Sequence, residues 1–198
     1  MIDPMTEFEP LIEWVPQNAK VLDLGCGEGE LLALLMKKRN IQGYGLEIDS
    51  NCITACLNKG VNVIEQNFDN GLDNFDNDSF DLVVLTSTLN VARRPDRLVK
   101  EMLRIGGKAL ITFPNFSHWK HRLALMFNGR MPVSKHIPYQ WYNTPNIHLC
   151  TIKDFESLCA EEGFKILTRT VRGQFLSSLF PNFWANQAMY LLTKGSNI

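Results

Sequence analysis

The stretch Val21–Leu32, VLDLGCGEGELL, decides the fold. It begins as a short apolar run, breaks into glycines at alternate positions, Gly25, Gly27 and Gly29, and resumes with leucines at helical spacing. A strand, a tight turn and a helix in that order make the first half of a βαβ unit. Leu31, Leu32, Leu34 and Leu35 give the helix its apolar stripe.

The glycine spacing limits what the turn can hold. A dinucleotide fingerprint, G-x-G-x-x-G, uses its third glycine to bring the helix against the strand, with a pyrophosphate at the helix start. Here Glu30 occupies that third position, which argues against a nicotinamide oxidoreductase. A P-loop is excluded because no Gly-Lys-Ser/Thr follows. Glu28 and Glu30 open the helix where a phosphate would sit and repel anions, so a ligand with a cationic part fits better.

Glu47 lies 18 residues beyond Gly29, at the end of the next apolar run. A carboxylate there can accept hydrogen bonds from both hydroxyls of a ribose. Ile48 follows as an apolar plate for a base, and Asn67 and Phe68, after the third run, stand on its other side. Taken singly, glycines after a strand make only a turn and a carboxylate at a strand end is a solvated group. The spaced combination describes a nucleoside carrying a charged amino-acid tail.

Further strands are expected at 43–48, 61–66, 80–86 and 108–113, rich in Val, Ile and Leu without strict alternation, as in parallel strands covered on both faces. Ser50 is placed to cap the second helix and Gly60 to end it; Pro95 suits the first turn of a helix carrying Leu98, Met102 and Leu103. After residue 150, Thr151 and Asp154 are spaced as a capping box, with Gly163 as terminator. Two final strands, 165–171 and 187–193, are joined by an irregular, Phe-rich link too short for a crossover helix, so they pair antiparallel. The expected architecture is a doubly wound α/β fold: a mostly parallel seven-stranded sheet with an antiparallel last strand, in one domain over residues 1–198.

The 198 residues carry 20 Lys and Arg against 21 Asp and Glu, a formal charge of −1. That balance supplies no basic face for nucleic acid. The acidic amino terminus lacks the pattern of a secretion signal, and no apolar stretch approaches a bilayer span, so a cytoplasmic protein without membrane contact is expected. Five cysteines without a C-x-x-C pair read as reduced thiols, with Cys52 and Cys56 in helix packing. His118 and His121 lack an H-E-x-x-H arrangement and a carboxylate neighbour, and His136 and His148 have no support as catalysts, so no metal site is expected.

The D-x-G-x-G-x-G turn with Glu47 resembles the class I S-adenosylmethionine (SAM)-dependent methyltransferases over residues 19–113. The resemblance implies that Asp23, Gly25, Cys26 and Gly27 surround the methionine part of SAM or S-adenosylhomocysteine, Glu47 the ribose, and Ile48, Asn67 and Phe68 the adenine. Many members have Gly-Asp where this chain has Gln66-Asn67; an asparagine oxygen can still accept from the adenine amino group. Thr86, at the fourth strand's end, is a candidate to line the same pocket.

Methyl transfer needs a positioned acceptor and in some cases a general base. After the fourth strand stands TSTLNVARRP (86–95), without the Asn/Asp-Pro-Pro-aromatic tetrapeptide of amino-methylating enzymes. Arg93 and Arg94 have the guanidinium forks to grip a carboxylate, or are solvated charges before a helix. No residue is identifiable as a catalytic base.

Residues 114–149 form a long connection for this fold, interleaving Trp119, Tyr139, Trp141 and Tyr142 with Arg130 and other basic residues. Such insertions are lids or binding surfaces, and aromatics with arginine are what interfaces concentrate; a cap packing its rings on the sheet is the alternative. The block NGRMPVSKHIPYQWYNTPNIHLCTIKDFE, with GYGLEID, ARRP and FPNFSHW, resembles the MetW family of bacterial methionine biosynthesis proteins over nearly the whole chain. That resemblance implies an accessory role: a methyltransferase-like, SAM-binding subunit that associates with homoserine O-acyltransferase, the acyl donor being acetyl- or succinyl-coenzyme A, and activates it. The alternative is an active methyltransferase on a small carboxylate-bearing acceptor held by Arg93 and Arg94.

Overall fold

The computed structural model describes residues 4–173 and 176–195. Parts of the acidic amino terminus and of the Phe-rich link fall outside the described residues. The chain runs α1 (Pro4–Ile12), β1 (Lys20–Leu24), α2 (Glu30–Arg39), β2 (Gln42–Glu47), α3 (Ser50–Asn58) and β3 (Asn62–Glu65), then β4 (Leu82–Thr86), α4 (Pro95–Gly106) and β5 (Lys108–Pro114). After α5 (Trp119–Leu123), α6 (Ile152–Glu161), β6 (Lys165–Gly173), α7 (Pro181–Trp184) and β7 (Ala185–Thr193) complete it.

The seven strands form one sheet in the order β3-β2-β1-β4-β5-β7-β6. The first five are parallel, and β7 inserts antiparallel between β5 and β6. A dinucleotide fold, by contrast, places six strands in the order 3-2-1-4-5-6. The order reverses at β1 and β4, which opens a crevice at the carboxyl ends of those strands.

Alternate residues of the central strands enter two separate cores. Leu22, Val83, Leu85, Ile111, Phe113 and Tyr190 pack under α4 and α6, while Val21, Leu82, Val84, Leu110 and Met189 pack under α1 and α2. With both faces buried, each strand reads as a continuous apolar run. The expectation fails for β3, an edge strand with Ile64 38% exposed, because only β2 flanks it.

Helix ends follow local chemistry. Asp49, not Ser50, caps α3: its carboxylate accepts from the Asn51 and Cys52 N–H groups, and Ser50 is already the first helical residue. Gly60 and Gly163 take left-handed conformations just past α3 and α6, Pro95 opens α4, and the Thr151 hydroxyl accepts from the Asp154 N–H. The sequence reading left out α1, which packs on α2 and has its terminal Ile12 carbonyl bound by Arg39 Nε at 2.8 Å.

At the end of α4, Gly106 lies against Val83 of β4 so closely that a Cβ would strike both the Val83 side chain and its backbone nitrogen. Gly106→Ala is therefore expected to destabilise by about 1–3 kcal/mol through overpacking, read as a lowered urea midpoint with an unchanged m-value.

Candidate nucleoside site at the end of β1

The turn after β1 is shaped by left-handed residues at Gly25 (φ 71°), Gly27 (54°) and Gly29 (74°). At Gly25 a side chain is barred twice, by φ and by space, since a Cβ would lie 3.1 Å from Thr88 Cγ2 and 3.6 Å from the Phe68 ring. The N–H groups of Gly25 and Cys26 donate to the Leu46 carbonyl at 2.8 and 3.0 Å, which fastens the turn to β2.

Glu47 ties the same loops together. Its Oε2 accepts from the Gly27 N–H at 2.9 Å, and its Oε1 from the N–H groups of Ile48 and Asp49 at 2.7 and 3.0 Å. Three amides fix the carboxylate at the edge of the crevice, with lone pairs remaining for hydroxyl donors. Ile48 beside it is 61% exposed, an apolar surface presented to solvent.

Beneath the turn, Asp23 is 1% exposed and neither carboxylate oxygen has a hydrogen-bond partner among the described residues. Burial first, and the charge of Glu47 second, push its pKa up to about 7. An orphaned, buried acid below a glycine turn is what an ammonium or sulfonium group would relieve. Observed burial and charge therefore fit a nucleoside with a cationic tail.

On the opposite side, the Asn67 side chain caps the short helical turn Phe68–Asn70 by accepting from the Asp69 N–H at 2.9 Å, and Phe68 is partly buried against the core. The structure thus gathers Asp23, Gly25, Cys26, Gly27, Glu47, Phe68 and Thr88 around the ends of β1, β2 and β4. Thr88 was missed by the sequence reading, which chose Thr86; Thr86 contributes its carbonyl, accepting from Thr88 Oγ1 at 2.9 Å. Between them Ser87 holds a left-handed φ of 57°, uncommon for a side chain other than Gly or Asn, and no residue pattern signalled it.

Other expected residues meet different partners from those expected. Arg94 is held by Asp96 in a two-point ion pair that lowers the Asp96 pKa to about 2, so its fork is already engaged. The Arg93 N–H donates to Asp69 at 3.0 Å. Cys56 packs against Cys26 of the turn, Sγ to Sγ 3.8 Å, rather than pairing with Cys52, and burial raises the pKa of both thiols. Among the described residues no cluster of three or more His, Cys, Asp or Glu could hold a metal, and no helix is long and apolar enough to cross a membrane.

The 114–149 segment is anchored at both ends. Asn115, fully buried, donates to the carbonyls of Ala185 and Asn182 at 2.8 and 3.1 Å, and Ser117 Oγ bonds Asn115 Oδ1 and Asn182 Oδ1, each at 2.8 Å. At the far end the N–H groups of Ile147 and His148 donate to the Asn90 carbonyl at 2.8 and 3.0 Å, beside the end of β4. Between these anchors Tyr139, Trp141 and Tyr142 are 45, 73 and 70% exposed, and Arg130 is exposed, whereas Trp119 packs on Trp184 with centroids 5.8 Å apart. The rings of 139–142 do not cap the sheet.

Residues 5–192 match the family model described as "Methionine biosynthesis protein MetW". The chain belongs to the MetW family. It is 35% identical over 162 residues to the "Bifunctional methionine biosynthesis protein MetXA/MetW" of Rhodopirellula baltica, an alignment covering 77% of this chain and 26% of that protein. A second relative, the carboxy-S-adenosyl-L-methionine synthase of Campylobacter lari, is 35% identical over 94 residues, 44% of this chain and 38% of its own. The chain thus spans well under half the length of these curated relatives. In fold it is similar to a SAM-dependent methyltransferase from Archaeoglobus fulgidus, with a TM-score of 0.72 at 15% identity, covering 96% of this chain and 93% of that one. This MetW-family chain therefore carries a methyltransferase-type fold.

Asp23 links stability to pH. A carboxyl whose pKa is raised on folding binds more protons folded than unfolded between pH 3.8 and about 7, so stability falls as pH rises across that window. Asp23→Asn is expected to flatten this slope and, near pH 7, to raise the melting temperature by at least the roughly 2–4 °C that 1 kcal/mol is worth in a chain of this size. The same change should weaken SAM binding at least tenfold. Thermal melts from pH 5 to 8 and calorimetric titration with SAM check the two halves.

Proposed function

We propose that this protein is an accessory subunit of methionine biosynthesis, which docks on homoserine O-acyltransferase, raises its activity and binds SAM in the crevice at β1 and β4. The observation that carries the reading is the relative that joins MetXA and MetW in one polypeptide. Fusion of two chains removes the cost of association between partners, so separate chains of the same families are expected to associate.

The docking surface proposed is the exposed aromatic stretch 139–142, in which Tyr139, Trp141 and Tyr142 face solvent. Large aromatic groups in water gain most from burial against a partner, and Trp, Tyr and Arg dominate interface energetics. Trp141 and Tyr142 meet edge-to-face, centroids 5.7 Å apart, which presents them as one block.

For the cofactor, Glu47 and Ile48 would receive the ribose and adenine with Asn67 and Phe68 opposite, and Asp23 would face the cationic tail through Gly25, Cys26 and Gly27. Bound SAM supplies an electrophilic methyl group. The protein's residues would bind and orient it, and Arg94, expected to grip an acceptor, is committed to Asp96. This favours the accessory role over transfer to a carboxylate held by Arg93 and Arg94. Because SAM is made from methionine, its occupancy would report the level of the pathway's end product to an early enzyme, provided it binds free and docked protein with different affinity.

Trp141→Ala with Tyr142→Ala should weaken association with homoserine O-acyltransferase by about thirtyfold, with the melting temperature unchanged because both rings are exposed. Size-exclusion chromatography and an acylation assay, each with and without SAM, check this. Absence of both association and any change in acylation rate would overturn the accessory role; SAM-dependent methylation of a carboxylate panel would replace it with the enzymatic reading.

A further inference from the structure

Away from the ends of β1 and β2, an open cleft of about 800 Å³ lies between α5 and the turn around Ser134–Ile137, with Asn186 of β7 on its wall. Among the described residues its lining holds three cationic side chains, Lys120, Arg130 and Lys135, and no carboxylate. The chain as a whole carries slightly more acidic than basic residues, so this is a local excess. Such a concentration of one sign in a concave site focuses positive potential.

Three imidazoles line the same cleft: His118, His121 and His136. His121 is spent on structure, its Nδ1 3.2 Å from the Phe116 carbonyl and its Nε2 3.2 Å from Ser134 Oγ, which pins the turn to α5. His118 is not. It is 3% exposed, its Nδ1 accepts from the Lys120 N–H at 3.4 Å, and its Nε2, which then carries the ring proton, has no partner among the described residues. Burial and the positive charge of its neighbours push its pKa down to about 4. Met131 and Val133 add an apolar wall.

We propose that this cleft is a binding site for a small organic anion, bearing a carboxylate or phosphate group on a short apolar body. Lys120, Arg130 and Lys135 would supply the charge complement, with Arg130 able to bind either head group through two parallel N–H donors. The volume suits a ligand of metabolite size. The inference does not depend on docking to the acyltransferase or on SAM, since none of its cations belongs to the nucleoside site or to the 139–142 stretch.

The test titrates the full chain by calorimetry with inorganic phosphate and, separately, with succinate, at constant ionic strength set by sodium chloride. Saturable binding with a Kd below about 1 mM is expected for at least one anion. Arg130→Ala with Lys135→Ala should weaken it at least tenfold, while Lys108→Ala, an exposed cation at the start of β5, should leave it unchanged. Tighter binding of succinate identifies a carboxylate ligand, and tighter binding of phosphate a phosphoryl one. Failure of both anions to saturate below that concentration, or equal losses in the Arg130/Lys135 and Lys108 variants, would overturn the site. SAM titration of the same variants reads the nucleoside crevice separately.

Discussion

One carboxylate organises the carboxyl edge of the sheet. Glu47 accepts from three backbone N–H groups, one in the turn after β1 and two in its own turn after β2. Hydrogen bonds to a charged acceptor contribute about 1.5–3 kcal/mol each, enough to hold a glycine-rich turn that has little side-chain packing of its own. The turn in turn sets where α2 begins, and α2 buries Leu31, Leu32 and Leu35 against the sheet. Loop geometry and core packing are thus joined through a single side chain.

That arrangement carries an internal tension. The negative charge of Glu47 helps to raise the pKa of Asp23, which burial has already raised. Two acids close together, one fixed by amides and the other left without a partner, store unfavourable energy at the crevice. Strain of this kind is retained at binding sites because a ligand releases it. The left-handed Ser87 across the crevice belongs to the same pattern.

The second organising feature is polar. Asn115, Ser117 and Asn182 form a buried hydrogen-bonded group that clamps the start of the 114–149 segment to the β6–β7 connection, while Asn90 clamps its end near β4. With both ends secured, the intervening chain can leave its aromatic rings in solvent and still keep a defined path. The exposed rings and the basic cleft are therefore parts of one scaffolded insertion.

Much of this was legible in the residues. Continuous apolar runs and the D-x-G-x-G-x-G turn pointed to a mostly parallel sheet, because strand burial and glycine conformations are local consequences of side-chain chemistry. Family membership was legible too, in the distinctive 128–156 block. Short-range competition already blurred the detail: Asp49 outcompetes Ser50 as cap because its carboxylate reaches two N–H groups at once. What only the tertiary structure decided were relations between distant residues. Insertion of β7 beside β5, Thr88 against Gly25, Asp96 holding Arg94, and Lys120, Arg130 and Lys135 around one cleft all depend on where chain segments meet. Sequence fixes which groups a segment can bury or charge; the partners those groups meet are set by packing of the whole sheet.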